Sequence, residues 1–152
     1  GVFCDKIRAG RAARVGDDFM VVARIESLIL ERGMADAMAR AEAYADAGVD
    51  AVMIHSRSPS PEEVFHFAGL FRQSFPSLPL AAVPTSYNAV TEDELAERGF
   101  NIVIYANHLL RAAYPAMCRT AESILQHQRS RESEEFCMPV RELITLINHP
   151  CD

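Results

Sequence analysis

The sequence has no run of about 20 apolar residues, the length that a membrane-spanning helix needs. Its start also has no basic stretch followed by an apolar one, which a secretory signal would show. Lys6 is the only lysine, and 15 basic residues are outnumbered by 21 acidic ones, giving a net charge of −6. Nucleic-acid-binding proteins normally carry a basic surplus or stripe. We therefore expect a cytoplasmic protein with neither a membrane nor a nucleic-acid partner.

Cysteine is scarce, and no two of the four cysteines lie close enough for a zinc or redox motif. The five histidines show no metal-ligand spacing either, and we expect reduced thiols. What is present, 49% apolar and 24% charged residues, is the composition of a globular domain with a core. The sequence starts at Gly1 without a methionine, and we expect it to be part of a longer protein.

Short apolar runs alternate with helical patterns along the chain. Pro61 is placed to open a helix, Gly48 and Gly99 to end two others, and Thr91 with Glu94 predicts a capping box. The predicted strands are 19–25, 49–55, 80–83 and 100–105, and the predicted helices are 34–47, 62–75, a short helix ending at Gly99, 108–128 and 139–147. Residues 1–4 could form the stub of one more strand, and the polar run 126–135 is predicted to be a surface linker.

Apolar strands that alternate with helices predict a parallel α/β sheet covered on both faces. A (β/α)8 barrel and a small open parallel sheet both satisfy this pattern. A closed barrel of this type takes at least about 200 residues. The chain is therefore predicted to be either an open sheet or half of a barrel, and periodicity does not choose between them.

Polar residues follow the apolar strands at their carboxyl ends, where both architectures bind ligands. Arg24 and Glu26 share one face of the first strand because side chains alternate. They are expected to form an internal salt bridge, or Arg24 is expected to clamp an anion. His55 ends the neighbouring strand, and Asn107 follows the fourth strand, where it could cap the next helix. These residues predict an anion-binding site and leave its chemistry open.

Read in order, the same strand ends resemble the phosphoenolpyruvate mutase/isocitrate lyase superfamily. The likeness is carried by VARIES at 22–27, AEAY at 41–44, AGVDA at 47–51, MIHS at 53–56, VPT at 83–85 and IYANHLLR at 104–111. These motifs keep their order from residue 19 to residue 125. Within the superfamily the likeness is greatest to the phosphoenolpyruvate phosphomutases, with the phosphonopyruvate hydrolases second.

The resemblance implies a (β/α)8 barrel of the TIM type. Residues 1–130 would form its C-terminal half, and residues 131–152 a linker and C-terminal helix. Members of the superfamily are homo-oligomers in which the last barrel helix is swapped between subunits. The resemblance therefore also implies a dimer or tetramer with exchanged helices.

The function implied by the resemblance is that of an isomerase with Mg²⁺ as its cofactor. Its small-molecule substrates would be phosphoenolpyruvate and phosphonopyruvate, interconverted with formation of a carbon–phosphorus bond in phosphonate biosynthesis. A phosphonopyruvate hydrolase, a carbon–carbon lyase of the same superfamily, a non-catalytic truncated relative and an unrelated α/β module stay open as alternatives. The gating loop that separates mutases from hydrolases has no recognisable counterpart between Lys6 and Phe19, so the sequence does not choose among the reactions.

Two catalytic residues of the superfamily have matches here: Arg24 matches the arginine that holds the phosphoryl and carboxylate groups of the substrate, and His55 matches the histidine that contacts the phosphoryl group. Ser56 and Asn107 lie in the same matched segments and are expected to contact the substrate as well. Glu26 is expected to orient Arg24 or a metal-bound water.

The expected metal ligands are Asp5 and, more weakly, Glu26. Asp5 lies in the segment CDK at 4–6, which resembles the superfamily's E-D-K. Cys4 stands where that motif has its metal-associated glutamate, and cysteine is a poor ligand for Mg²⁺. Other metal-binding aspartates of the superfamily belong to the half of the barrel that this sequence does not include.

Overall fold

The computed structural model describes residues 1–16 and 18–146. Its elements are α1 (Val2–Ala12), β1 (Val22–Ile25), α2 (Gly33–Asp46), β2 (Ala51–Ile54), α3 (Glu62–Ser74), β3 (Leu80–Ala82), α4 (Glu92–Glu97), β4 (Ile102–Val103), α5 (His108–His127), a 3₁₀ helix (Arg131–Glu135) and α6 (Val140–Leu146). The chain divides into two compact units, one spanning Gly1–Ala106 and one that begins at Asn107. The domain boundary predicted after residue 130 stays a prediction.

The strands of the described chain form one parallel sheet in the order β1-β2-β3-β4. Each strand lies beside the one that precedes it, and a helix fills each connection. An open doubly wound sheet reverses its strand order at a switch point, whereas a barrel adds its strands in sequence. The strand order therefore favours the barrel over the small open sheet.

One face of the sheet packs against the helices. The buried side chains on this face include Ala23 and Ile25 of β1 and Val52 and Ile54 of β2. Helix α2 contacts both strands, and helix α3 buries the apolar stripe predicted from its spacing, which consists of Val64, Phe67, Ala68 and Phe71. On β1 the exposed residues alternate with the buried ones. The prediction that the strands are covered on both faces is therefore wrong for β1 within the described chain.

Helix α1 occupies the segment where a strand stub was predicted at residues 1–4, and that prediction is wrong. Cys4 and Ile7 are its buried residues, and a separation of three residues places them on one helix face. Arg8, Ala9, Arg11 and Ala12 are good helix formers and outweigh Gly10, so the helix continues past the short apolar start that suggested a strand.

Asp50 joins α1 to the starts of two strands. Its Oδ1 accepts from Nη1 of Arg11 at 2.7 Å, and its Oδ2 accepts from the backbone N–H of Val21 at 2.7 Å. The backbone hydrogen bond from Val21 and the nearby positive charges of Arg14 and Arg11 lower the pKa of Asp50. The carboxylate thus stays ionised while it holds the helix against the sheet.

Helix α4 begins with the predicted capping box. Oγ1 of Thr91 accepts from the backbone N–H of Glu94 at 3.2 Å, and Oε2 of Glu94 accepts from the backbone N–H of Thr91 at 2.8 Å. The helix ends before Gly99, whose φ of 92° lies in the left-handed region that favours glycine. The predicted capping box at the start of α4 and the predicted glycine stop at its end are both confirmed.

The second unit contains α5, the 3₁₀ helix and α6. Helix α5 has no buried residue in the described chain, and it exposes Leu109, Leu110 and Leu125. The predicted linker 126–135 includes the 3₁₀ helix, where Ser133 is buried and donates to the carbonyl of Ser130 at 2.6 Å. Of the last predicted helix, residue 147 lies outside the described residues. None of the described helices combines the length and hydropathy needed to cross a bilayer.

Candidate active site

The sheet brings Arg24, Glu26 and His55 together at the carboxyl ends of β1 and β2. Ile25 is paired with Ile54 across the two strands, and continuing this register by one residue places Glu26 beside His55. Because side chains alternate along a strand, all three lie on the face that points away from the helices. We call this group the strand-end cluster.

Arg24 contacts both other members of the strand-end cluster. Its Nε is ion-paired with Oε1 of Glu26, and its Nη2 lies 2.6 Å from Nδ1 of His55. Oε2 of Glu26 lies 3.8 Å from the same ring nitrogen. The salt bridge expected between Arg24 and Glu26 is therefore present. The side chain of Arg24 remains 48% exposed, so its outer edge is also open to a ligand.

The contact with Arg24 determines where His55 carries its proton. A guanidinium has donors only, so Nδ1 of His55 must accept and the neutral ring carries its proton on Nε2. Burial of the ring, followed by the positive charge of Arg24, lowers the pKa of His55 below its ordinary value of 6.5. The imidazole is therefore neutral at pH 7, with an Nε2–H group that can donate to an anion.

Ser56, a predicted substrate contact, follows His55 and is buried. Its hydroxyl donates to Oε1 of Glu63 and accepts from the backbone N–H of Ser58 at 2.9 Å. The substrate contact stays a prediction, and the hydroxyl proton already has a partner within the protein.

Sequence reasoning missed Ser27, which is the buried residue that follows Glu26. Its hydroxyl donates to Oδ2 of Asp36, nine residues later in the chain, at 2.5 Å. The signal that could have found it is a serine directly after a polar strand-end residue, followed by an acid in the first turn of the next helix. Ser56 and Glu63 show the same signal.

The two predicted metal ligands have cationic partners. Asp5 lies on α1, exposed and paired with Arg8 at 2.8 Å, and Glu26 is paired with Arg24. Among the residues that the structure describes, no group of three or more histidines, cysteines or acids could hold a metal ion. Mg²⁺ needs several oxygen ligands in octahedral geometry, so the residues described here do not fit it. The assignments of Asp5 and Glu26 as ligands stay predictions.

Cys4 and Asn107 complete the predicted residues. Cys4 is buried in the core, and its Sγ lies 3.6 Å from the carbonyl oxygen of Ala43. Asn107 precedes α5 at the start of the second unit, and its side chain makes no capping hydrogen bond. Asn107 therefore occupies the predicted N-cap position without a side-chain cap, and its substrate contact stays a prediction.

Comparisons with known proteins identify relatives of this chain. The family model described as phosphoenolpyruvate phosphomutase matches residues 1–125. Phosphonopyruvate hydrolase from Variovorax sp. (strain Pal2) is 40% identical over 146 residues, which are 95% of this chain and 49% of that protein.

Two solved structures resemble the chain closely. Phosphoenolpyruvate phosphomutase from Streptomyces platensis subsp. rosaceus gives a TM-score of 0.88 at 40% identity, over 96% of this chain and 50% of that one. A phosphonopyruvate hydrolase complex with oxalate and Mg++ gives a TM-score of 0.84 at 40% identity, over 96% of this chain and 51% of that one.

The chain spans about half the length of the curated relatives it matches. These relatives are TIM-barrel-type enzymes, and the sequential parallel order of β1 to β4 is the order that such a barrel requires. Mutase and hydrolase structures are equally similar in sequence, so overall identity does not choose between their reactions. The chain belongs to the phosphoenolpyruvate phosphomutase family, within the phosphoenolpyruvate mutase/isocitrate lyase superfamily.

Proposed function

We propose that the protein containing this chain is a phosphomutase that interconverts phosphoenolpyruvate and phosphonopyruvate. The observation that carries the proposal is the 2.6 Å contact between Arg24 and His55 at the open end of two parallel strands. A planar cation beside a neutral N–H donor suits a substrate that carries both a phosphoryl group and a carboxylate. The family match supports the same substrate class.

In the proposed reaction the bond from phosphorus to the enol oxygen of phosphoenolpyruvate breaks. A bond from phosphorus to the methylene carbon forms, and no atom is gained or lost overall. Phosphoryl transfer of this kind has a loose transition state with its charge spread over three oxygens. Catalysis therefore depends on positioning and on stabilisation of that charge.

Each member of the strand-end cluster has a role in this proposal. Arg24 holds the phosphoryl and carboxylate groups through the donors that its contacts leave open. His55 donates from Nε2 to an oxygen of the moving phosphoryl group. Glu26 orients Arg24 through their ion pair.

We propose Mg²⁺ as a cofactor of the whole protein that contains this chain. A related hydrolase was solved with oxalate and Mg++, whereas the described residues of this chain provide no set of ligands for a metal. We therefore give Mg²⁺ no step of the reaction, and Asp5 and Glu26 stay predicted ligands. A homo-oligomer with exchanged helices and a cytoplasmic location remain parts of the proposal, and the exposed leucines of α5 suit burial in such an assembly.

Phosphonopyruvate hydrolase is the second candidate, because relatives with that activity are as similar to this chain as the mutase is. A hydrolase uses the same substrate and transfers the phosphoryl group to water, giving pyruvate and phosphate. The same strand-end cluster would serve both reactions.

The test is to incubate the purified protein with phosphonopyruvate and to follow the products by ³¹P NMR. Phosphoenolpyruvate identifies a mutase, free phosphate with pyruvate identifies a hydrolase, and consumption without either product points to carbon–carbon chemistry. Unchanged phosphonopyruvate overturns the proposal in favour of a non-catalytic relative. Arg24→Ala should abolish turnover while leaving the far-UV circular dichroism unchanged, and activity within about tenfold of the unmodified protein would contradict the role of Arg24.

A further inference from the structure

The same arrangement follows both strands of the strand-end cluster. Ser27 comes directly after Glu26, and Ser56 comes directly after His55. Both serines are only 1% exposed, although the residues before them lie on the open face of the sheet. Continuing the β1–β2 register by two residues beyond Ile25 places the two serines side by side.

Each serine donates its hydroxyl proton to a carboxylate in the first turn of the following helix. Ser27 donates to Oδ2 of Asp36 at 2.5 Å, and Asp36 lies in the first turn of α2. Ser56 donates to Oε1 of Glu63, which lies in the first turn of α3. We call the pairs Ser27–Asp36 and Ser56–Glu63 the serine latches.

Because successive side chains of a strand point to opposite faces, a latch on one face can fix the position of the neighbouring side chain on the other. Ser56 faces the helices while His55 faces the open side, and the two residues share one peptide bond. The hydrogen bond of a buried serine to a carboxylate is short and directional, so it restricts rotation of the backbone that carries both side chains. The backbone N–H of Ser58 also donates to Ser56 at 2.9 Å, which fixes the chain on the other side of the serine.

A space-filling role does not account for the latches. Alanine fills nearly the same volume as serine and needs no partner, whereas a buried hydroxyl costs free energy unless it is hydrogen-bonded. Asp36 is further engaged by Nε of Arg40 at 2.7 Å, so the acceptor itself is held in place. A serine latch occurs at the ends of both neighbouring strands, each time directly after a member of the strand-end cluster. This repetition indicates that the latches act on the cluster.

We propose that the serine latches position Glu26 and His55 so that the guanidinium of Arg24 meets both at once. Asp36 and Glu63 are then positioning residues of the reaction, acting through Ser27 and Ser56. The expected effect on kcat rests on the proposed function, whereas the expected effect on the geometry of His55 does not. With its latch intact, His55 keeps one neutral tautomer, the one with the proton on Nε2.

The Ser56–Glu63 latch can be tested with three substitutions. Glu63→Ala removes the acceptor, Glu63→Gln keeps an oxygen acceptor without the charge, and Glu62→Ala is the matched control. Glu62 lies in the same helix turn, is exposed and carries the same charge. Any effect of Glu63→Ala that the control also shows would come from the helix dipole and not from the latch.

With phosphonopyruvate as substrate, Glu63→Ala should lower kcat roughly tenfold to a hundredfold and change KM much less, because misplacement weakens transition-state contacts. Glu63→Gln should recover most of the loss, and Glu62→Ala should match the unmodified protein. Equal kcat values for Glu63→Ala and Glu62→Ala would contradict the proposal.

The second measurement does not depend on activity. In ¹⁵N spectra of the imidazole at about pH 8, where histidine is neutral, a single tautomer gives two widely separated nitrogen signals for His55. In Glu63→Ala these signals should move toward each other as the tautomers interconvert, and in Glu62→Ala they should not. Signals that stay separated in Glu63→Ala would overturn the latch, even if the protein turns over no phosphonopyruvate and the proposed function fails.

If Glu63→Ala does not fold, Glu63→Asp replaces it. This change keeps the charge and withdraws the carboxylate by one methylene group, so the hydrogen bond to Ser56 is lost while the helix turn is preserved. The signals of His55 should converge in this variant too. Separated signals there would equally refute the positioning role.

Discussion

Nη2 of Arg24 lies 2.6 Å from Nδ1 of His55, a contact between residues 31 positions apart that parallel pairing of β1 and β2 brings together. The same guanidinium is ion-paired with Glu26 through Nε. A planar group with donors along several edges can make both contacts and still present donors outward. The chemical behaviour of the cluster should therefore depend on the shape of the guanidinium as well as on its charge.

Replacing Arg24 by lysine separates shape from charge. We expect Arg24→Lys to lower kcat/KM at least about a hundredfold, because one ammonium cannot contact Glu26, His55 and a substrate oxygen together. The measurement is steady-state turnover of phosphonopyruvate. Arg8→Lys is the control, since Arg8 is exposed and its pair with Asp5 is a surface salt bridge of small energetic value. Near-normal turnover by Arg24→Lys would show that charge alone suffices.

The lowered pKa of His55 predicts a pH dependence of stability. Burial and the charge of Arg24 hold this pKa below 6.5 in the folded protein, so as the pH falls the unfolded chain takes up the proton first. The stabilisation is complete above about pH 6.5 and is lost as the pH falls through the lower pKa of the folded state. Urea unfolding from about pH 8 to pH 5 should show a steeper loss for the unmodified protein than for His55→Gln.

His66 supplies the control for this pH series, because it is an exposed histidine on α3. His66→Gln should follow the pH dependence of the unmodified protein. If His55→Gln and His66→Gln change the profile equally, the effect does not come from the strand-end cluster.

Arg72 predicts a stability effect away from the site. Its guanidinium donates to the carbonyls of Gly99 at 2.8 Å, Phe75 at 3.1 Å and Leu78 at 2.8 Å, and to Oδ1 of Asn101 at 2.5 Å. Burial lowers the pKa of this group. Removing these donors leaves several carbonyls unsatisfied, each at a cost of about 1–3 kcal/mol when buried.

We therefore expect Arg72→Met to lower the free energy of unfolding by about 3 kcal/mol, measured by urea denaturation. Gln73→Met is the matched control, being exposed at the next position of the same helix. It should change stability by no more than about 0.5 kcal/mol. Equal losses in the two variants would show that the carbonyl contacts of Arg72 contribute little.

The lack of a cluster of metal ligands among the described residues predicts the result of a thermal-shift experiment on the 152-residue chain. A cation that binds only the folded state, present at a concentration of a hundred times its Kd, adds about 2.7 kcal/mol to the free energy of unfolding. Such a gain would raise Tm by several degrees. Because no group of three or more histidines, cysteines or acids among the described residues could hold a metal ion, Mg²⁺ should shift Tm by less than about 1 °C relative to NaCl of equal ionic strength. A rise of several degrees that EDTA reverses would reveal a site outside the groups described above.

The order of helices and strands could be predicted because local patterns determined it. Thr91 and Glu94 form the predicted capping box, and Val64 and Phe67 lie on the predicted buried face of α3. The error at α1 has a physical reason, because two apolar residues at the start of a chain fit a strand and a helix equally well. Only the burial of Ile7 together with Cys4 reveals the helical period.

The site was predictable where alternation and strand order determined it, as for Arg24, Glu26 and His55. Ser27 was missed because a serine is buried only when it has a partner, and Asp36 lies across a loop from it. The pairing of Asp5 with Arg8 was also beyond local reasoning, since a short motif does not tell which neighbour an exposed carboxylate finds. Alternatives for the reaction persist because the mutase and hydrolase structures are each 40% identical to this chain.

The pairing of Ile25 with Ile54 has a consequence for how the site can fail. Sliding β1 by one residue would turn Arg24 toward the helices and expose Ile25 in its place, since neighbouring side chains point in opposite directions. Catalytic competence would then vanish in one step, and no graded weakening would precede it. A library that varies only the buried residues Ala23 and Ile25 of β1 should accordingly contain active and inactive variants, with few of intermediate activity.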